Sequence, residues 1–256
     1  MLNEDALQRT LKVAGLTAPV RWDEVTASTN ATALAMAAEG TPAWTLVAAG
    51  HQTAGRGRRG RAWQDRSGSA LIFSVVLRPP LEPEGVGLIS LAAGAAMAEA
   101  ASDLSGLEIR CKWPNDLMVG ESKIGGILGE AEITDGRIGH VVLGIGVNLD
   151  APADVAGAGG IGDVDTEALL TGFLQRFRPM IEGSREKILN RWRAVSATLG
   201  RRVEATTVAG DVSRGTAVDL DGTGALLIEV RQGRARERQR VRVAFGEIHH
   251  LDVNQG

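Results

Sequence analysis

The chain has 256 residues, enough for one large domain or one domain with a small companion, and its 44% hydrophobic content supports a real core rather than general disorder. A formal net charge of −3 argues against bulk polyanion binding, which needs a basic face. The single cysteine, Cys111, excludes an intramolecular disulfide framework and a cysteine-based zinc cage, and it fits a reducing compartment.

The N-terminal stretch MLNEDALQRTLKVAG is acidic early and amphipathic, without the apolar centre of a signal peptide, and places Leu7, Leu11 and Ala14 at helical spacing. Residues 20–25 (VRWDEV) alternate like a strand. Ser28, Thr29 and Asn30 are all helix-capping types ahead of ATALAMAAE, a strong helix former that stops at Gly40. Residues 45–49 read as a strand feeding an arginine-rich loop, and residues 70–77 (ALIFSVVL) as the clearest strand, closed by Pro79 and Pro80. A helix is expected over residues 85–104. Its apolar run, residues 87–101, is Ala-rich, contains Glu99 and is too short to cross a bilayer, so the expectation is a cytoplasmic protein with no membrane contact.

Residues 108–113 read as a strand that Pro114 ends, leaving Asn115 and Asp116 where the chain opens into a turn. Residues 123–133 and 138–148 read as antiparallel strands joined across Thr134-Asp135-Gly136. Residues 151–162 are rich in Gly and Ala and read as a loop; residues 165–180 and 185–199 read as helices. From Gly200 onward short alternating segments separated by DGTG and QGR turns predict a small barrel of about five strands. The expected architecture is therefore a mixed-sheet α/β domain over residues 1–197 and a small β-domain over residues 198–256.

The loop HQTAGRGRRGRAW puts four arginines, Arg56, Arg58, Arg59 and Arg61, within six positions. Glycines 55, 57 and 60 permit positive φ and an anion-binding nest, and guanidinium groups suit phosphate or carboxylate. Nothing from Gly55 to Arg61 is apolar enough to anchor the loop, so it is expected to order over a ligand. A solvated turn and an RGG-like RNA contact are the competing readings. A metal or general-base role for His51 is rejected because no carboxylate pair adjoins it in sequence; His249 and His250 lack metal-ligand spacing. The arginines of residues 231–242 alternate with acids and apolar residues, as on a solvated strand face that could also meet an acidic partner.

Four stretches in order, STN at 28–30, HQTAGRGRRGRAW at 51–63, KWPNDLMVGESKIGGIL at 112–128 and GIGVN at 144–148, resemble the biotin protein ligases. FGEIHHL near the C-terminus matches more loosely. The resemblance implies a class II synthetase-like mixed sheet with flanking helices and an SH3-like C-terminal barrel. It also implies an ATP- and Mg²⁺-dependent ligase that makes biotinyl-5′-adenylate and transfers biotin to a lysine of a biotin carboxyl carrier domain. A lipoate or octanoate ligase on the same fold is the nearest alternative, and a nucleic-acid-binding protein the alternative of another class. Only 27 residues precede Ser28, too few for the winged helix of some family members, so the monofunctional type, without nucleic-acid binding, is expected. Monomer and homodimer stay open.

By resemblance, Ser28, Thr29, Asn30 and Gln52 contact biotin's ureido end, while Arg56, Gly57 and Arg58 hold carboxylate and phosphate. Lys123 stabilises charge as carboxylate meets α-phosphate, with Arg58 as its catalytic companion. Arg61, Lys112, Asn115 and Asp116 serve the phosphate side, Asp116 with Mg²⁺ and no fixed metal ligand set. Trp63 and Asn148 take the adenine, and Gly125, Gly126, Gly144 and Gly146 leave room for ligand. For Ser28 and Thr29 helix capping, and for Trp63 core packing, are the competing roles.

Overall fold

A computed structural model describes residues 2–80, 82–207, 209–232, 237–244 and 246–251. Among the described residues twelve strands and five α-helices follow in chain order. Helix α1 (Glu4–Val13) is capped by Asn3 and precedes β1 (Val20–Thr26). Helix α2 (Thr29–Ala38) carries the chain to β2 (Leu46–Gln52), which pairs parallel with β1. Strand β3 (Ala70–Leu77) covers the predicted residues, whereas β2 runs three residues further than the 45–49 expected, into the HQ of the arginine loop.

Helix α3 (Val86–Ser105) is followed by β4 (Ile109–Lys112), β5 (Asp116–Val119), β6 (Ser122–Thr134) and β7 (Arg137–Asn148). The sequence reading had no β5; the Asn-Asp turn feeds a four-residue strand directly. The seven strands lie in the order β1-β2-β3-β7-β6-β5-β4. Helices α4 (Thr166–Ile181) and α5 (Arg185–Ala194) close the larger core. Helix α5 ends five residues before the predicted Leu199, because the chain turns there to pair Cys111 N and O with Val195 and Ala197 beside β4. Helix α3, judged too short from its apolar run, is long and apolar enough by length and composition to cross a membrane, but most of it is buried in the core.

The sheet has two buried faces, so its central strands are apolar at consecutive positions. Leu46, Ala48, Phe73, Val75, Leu77, Val141 and Leu143 face the large core under α3 and α4. Val47, Val76 and Val142 face α2, where Ala33 and Ala37 meet them. This period-two split places Ile72 and Ser74 of β3 on the α2 face as well.

After Thr198 come β8 (Arg202–Thr207), β9 (Val212–Leu220), β10 (Leu226–Gln232), β11 (Glu237–Val243) and β12 (Gly246–His250). They form an antiparallel sheet in the order β11-β10-β9-β8-β12. Five strands were expected and five pair among the described residues, with β11 and β12 at the ends of the order. In the basic run, Arg238 pairs with Glu229 and Arg242 with Asp221; Arg234 and Arg236, and Phe245 of FGEIHHL, lie outside the described residues. The second sheet is joined to the first by Trp113, whose N–H donates to Thr198 Oγ1 at 2.9 Å and whose Nε1 donates to the Gly224 carbonyl at 3.1 Å.

Candidate active site

A cavity opens on the α2 side of the larger sheet. Its floor follows from strand register. Gly146 of β7 lies between Ile72 of β3 and Gly126 of β6, and Gly144 lies between Ser74 and Leu128. The N-terminus of α2 forms one end, the arginine loop the roof, the Lys112–Asp116 turn and Lys123 the other end, and Glu247, Ile248 and His249 of β12 a side wall.

At the α2 end, Ser28 caps the helix, its Oγ accepting from Ala31 N at 3.5 Å. Gln52 Oε1 accepts from Thr29 N at 2.7 Å and from Thr29 Oγ1 at 3.2 Å. Ser74 Oγ lies 2.8 Å from Thr29 Oγ1 and donates to Asn30 Oδ1 at 2.6 Å. Asn30 Nδ2 donates to Glu130 Oε2 at 2.8 Å, and Arg56 Nη2 reaches the same oxygen at 2.9 Å. Glu130 and Ser74 were not singled out from the sequence: each is one polar letter in an otherwise strand-like run.

The arginine loop folds differently from expectation. It closes on itself as a narrow hairpin, with Trp63 N donating to Gly55 O at 2.9 Å and Gly57 N to Arg61 O at 2.7 Å. Of its glycines only Gly60 takes positive φ (73°), joined by Arg59 (56°). Gly55 is required for a different reason: a Cβ there would lie 2.7 Å from the Trp63 carbonyl. The loop's arginines have protein partners. Arg61 ion-pairs with Glu247 of β12, and Arg59 approaches it at 3.7 Å. Arg58 donates to Asn115 Oδ1 at 3.1 Å and to Gly246 O at 3.5 Å. Burial pulls the Arg58 guanidinium below its ordinary value, Arg59 and Arg61 add repulsion, and Asp116 opposes them. Arginine stays charged through such a shift. His51 meets one carboxylate, not a pair. Its Nδ1 lies 2.8 Å from Asp65 Oδ2, which also accepts from Gln52 N at 3.4 Å, so the pair ties the two stems of the loop together away from the cavity.

At the opposite end, Lys123 Nζ sits 2.6 Å from Asp116 Oδ1. The loop 151–162 grips its backbone, since Lys123 N donates to Gly157 O and Gly159 N to Lys123 O, both at 2.8 Å. Lys112 lines the same end. Two glycines do not leave open room as expected; protein side chains occupy it. A Cβ at Gly144 would lie 2.7 Å from Asn30 Cγ, and one at Gly146 2.6 Å from Trp63 Cζ2. A Cβ at Gly125 would meet the Gly146 carbonyl at 2.6 Å, whereas Gly126 faces the cavity beside Lys123. Trp63 lines the cavity with its Nε1 buried and unpartnered. Asn148 Nδ2 donates to Gly159 O at 3.0 Å, tying the end of β7 to the loop 151–162. The wall contributed by β12 was missed because its residues lie about 130 positions beyond the KWPND turn, in a separate sheet.

The cavity thus has polar groups at one end, guanidinium groups over its middle and a lysine–aspartate pair at the other, a lining suited to a carboxylate beside a phosphate. Residues 22–148 match the biotin/lipoate A/B protein ligase family and residues 198–251 the biotin protein ligase C terminal domain. The biotin–[acetyl-CoA-carboxylase] ligase of Mycobacterium tuberculosis is 34% identical over 241 residues, covering 88% of this chain and 86% of that one. The one from Paracoccus denitrificans is 34% identical over 228 residues, 82% and 93%. The biotin protein ligase from Aquifex aeolicus, solved in complex with biotin and ATP, has the same fold, with a TM-score of 0.75 at 23% identity over 91% of this chain and 99% of that one. The chain belongs to the biotin protein ligase family.

Proposed function

We propose that this chain joins biotin to ATP as biotinyl-5′-adenylate and passes the biotinyl group to a lysine of a biotin carboxyl carrier domain of a carboxylase. Residues 1–197 would bind both small molecules, and residues 198–256 would complete the wall. The supporting observation is the single cavity that holds Thr29 and Gln52 at one end, Lys123 and Asp116 at the other, and Arg56 and Arg58 between them.

Both reactants are anionic, so charge neutralisation and alignment are the main demands. In the first step a biotin carboxylate oxygen bonds to the α-phosphorus and the bond to pyrophosphate breaks. Lys123 meets the developing charge, and Arg58 holds the phosphate side. The donor set fits a phosphate-held Mg²⁺: Asp116 is a carboxylate in the cavity, and such ions take one or two carboxylates plus phosphate oxygens. Asp116 would hold the ion, which would offset triphosphate charge when bound. In the second step the neutral lysine amine attacks the acyl carbon, the bond to AMP breaks, and the amine's proton is lost. The roof of residues 55–61 and the β12 wall exclude water from the mixed anhydride meanwhile.

The test is incubation with ATP, Mg²⁺ and labelled biotin, lipoate or octanoate, with and without a carrier domain. Biotinyl-adenylate alone, consumed when the carrier is added, is the expected result. Formation of a lipoyl- or octanoyl-adenylate instead, or of no acyl-adenylate, overturns the reading.

A further inference from the structure

The arginine roof is a hairpin whose two stems are joined unevenly. Backbone bonds close it at Gly57–Arg61 and at Gly55–Trp63, and below them only a 3.4 Å bond from Gly68 N to Gly50 O joins the stems again. Between these points the outgoing stem bonds away from its partner: Thr53 N and Ala54 N donate to the carbonyls of Thr26 and Ala27. The return stem, Gln64 to Ser67, makes no backbone bond to the outgoing one among the described residues. The Asp65 side chain spans this gap. Its Oδ2 lies 2.8 Å from His51 Nδ1 and accepts from Gln52 N at 3.4 Å. As a carboxylate it only accepts, so His51 Nδ1 carries the proton of the shorter bond.

The other oxygen is left out of this bonding. None of the Asp65 side chain is exposed (0%), and Oδ1 has no hydrogen-bond partner among the described residues. A buried carboxylate with an unsatisfied oxygen costs stability, and a well-packed apolar side chain in its place is neutral or stabilising. Fold stability therefore does not account for an acid here. What the acid supplies is a fixed spacing between the stems, and each stem carries a group of the cavity wall close by. Gln52 stands on the outgoing side, and Trp63, packed against Gly146, stands two residues before Asp65 on the return side. The tip of the roof is held separately, by Glu247 and Asn115.

We infer that Asp65 is a positioning residue for retention of the acyl-adenylate: by clamping the base of the roof through His51 and Gln52 it sets how the roof lies over the cavity, and so how slowly the mixed anhydride escapes. It acts through the two stems and holds no reacting atom. The inference rests on the biotin reading above and adds to it a residue pair at the hinge of the roof.

The test separates the clamp from ordinary packing. Asp65→Leu and Asp65→Ala remove the carboxylate and leave a larger or a smaller apolar group, whereas Asp65→Asn keeps one accepting oxygen for His51. Three quantities are measured: the melting temperature, single-turnover formation of labelled biotinyl-adenylate at saturating biotin and ATP, and release of that adenylate into a chase of unlabelled adenylate. In the more stable of the two apolar variants release should quicken about tenfold or more, as expected for the loss of a hydrogen bond to a charged group. Formation should stay within about threefold of the wild type, because Lys123 and Arg58 are untouched, and the melting temperature should be at or above that of the wild type. Asp65→Asn should hold release within about threefold of the wild type. Wild-type release in that apolar variant, formation slowed as much as release is quickened, a lower melting temperature in both apolar variants, or release from Asp65→Asn as fast as from them overturns the inference alone. A wild type that forms no biotinyl-adenylate overturns the ligase reading and the inference with it.

Discussion

Gly144→Ala tests the pocket floor with a single methyl group. Its Cβ would lie 2.7 Å from Asn30 Cγ and 3.0 Å from Nδ2, and nearer still to Oδ1, where ordinary contact needs about 3.5 Å or more. Asn30 must retreat by roughly an ångström, yet it is 4% exposed and held by bonds of 2.6 Å to Ser74 and 2.8 Å to Glu130. Losing both buried bonds costs about 2–3 kcal/mol in all. At roughly 2–4 °C per kcal/mol for a chain of this size, the melting temperature should fall by about 4–12 °C. Biotin affinity should fall by about tenfold or more, because Thr29 and Gln52 lose their support. The assays are thermal unfolding and calorimetric titration. Asn30→Gly in the same background should recover part of the stability, since it removes the atoms in conflict. A melting temperature within about a degree of wild type, with unchanged affinity, would refute the packing argument.

Lys123→Ala should slow adenylate formation by about a hundredfold or more while leaving the melting temperature nearly unchanged, as read by single-turnover formation of labelled adenylate; near-normal rates would move the charge-stabilising role elsewhere. Glu247→Ala removes the partner of Arg61 and Arg59, so trypsin should cut after these loop arginines several-fold faster than in the wild type, with or without added ligand. Burial pushes the Asp221 carboxyl up, but bonds from Thr223, Arg242 and Ala225 outweigh it and bring it from 3.8 to about 2. A carboxyl depressed on folding contributes stability above its unfolded value of 3.8 that is lost as pH falls toward 2, so Asp221→Asn should flatten acid unfolding of the second sheet in that window, followed by circular dichroism.

Much of the fold is legible because period-two and helical patterns are local properties. Strand β3 follows from an apolar run closed by Pro79 and Pro80, the β6–β7 hairpin from the Thr134-Asp135-Gly136 turn, and α2 from Ser28 and the alanines after it. Strand β5 escapes because four residues are too few to show a period, and α5 is overestimated because its last predicted turn is taken by backbone pairing with Cys111. The site divides in the same way. Residues within contiguous motifs, such as Arg56, Arg58, Asn115 and Lys123, end on one cavity. Ser74, Glu130 and Glu247 stand alone among strand residues, and only register and the docking of two sheets reveal what they hold. The crowded arginines of a mildly acidic chain are explained by the carboxylates and carbonyls that receive them from β6, the KWPND turn and β12.

Strand β12 forms part of the cavity wall while belonging to the other sheet. Ligand occupancy and the seating of the second sheet are therefore two faces of one equilibrium. A molecule that fills the cavity only when β12 is seated stabilises the seated state by RT ln(1 + [L]/Kd), about 2.7 kcal/mol at a hundredfold excess over Kd. The same linkage makes the contact between the sheets an affinity determinant: a substitution at Gly224, whose carbonyl receives Trp113 and which does not line the cavity, weakens binding as surely as one in the pocket, and a saturating ligand reverses the loss.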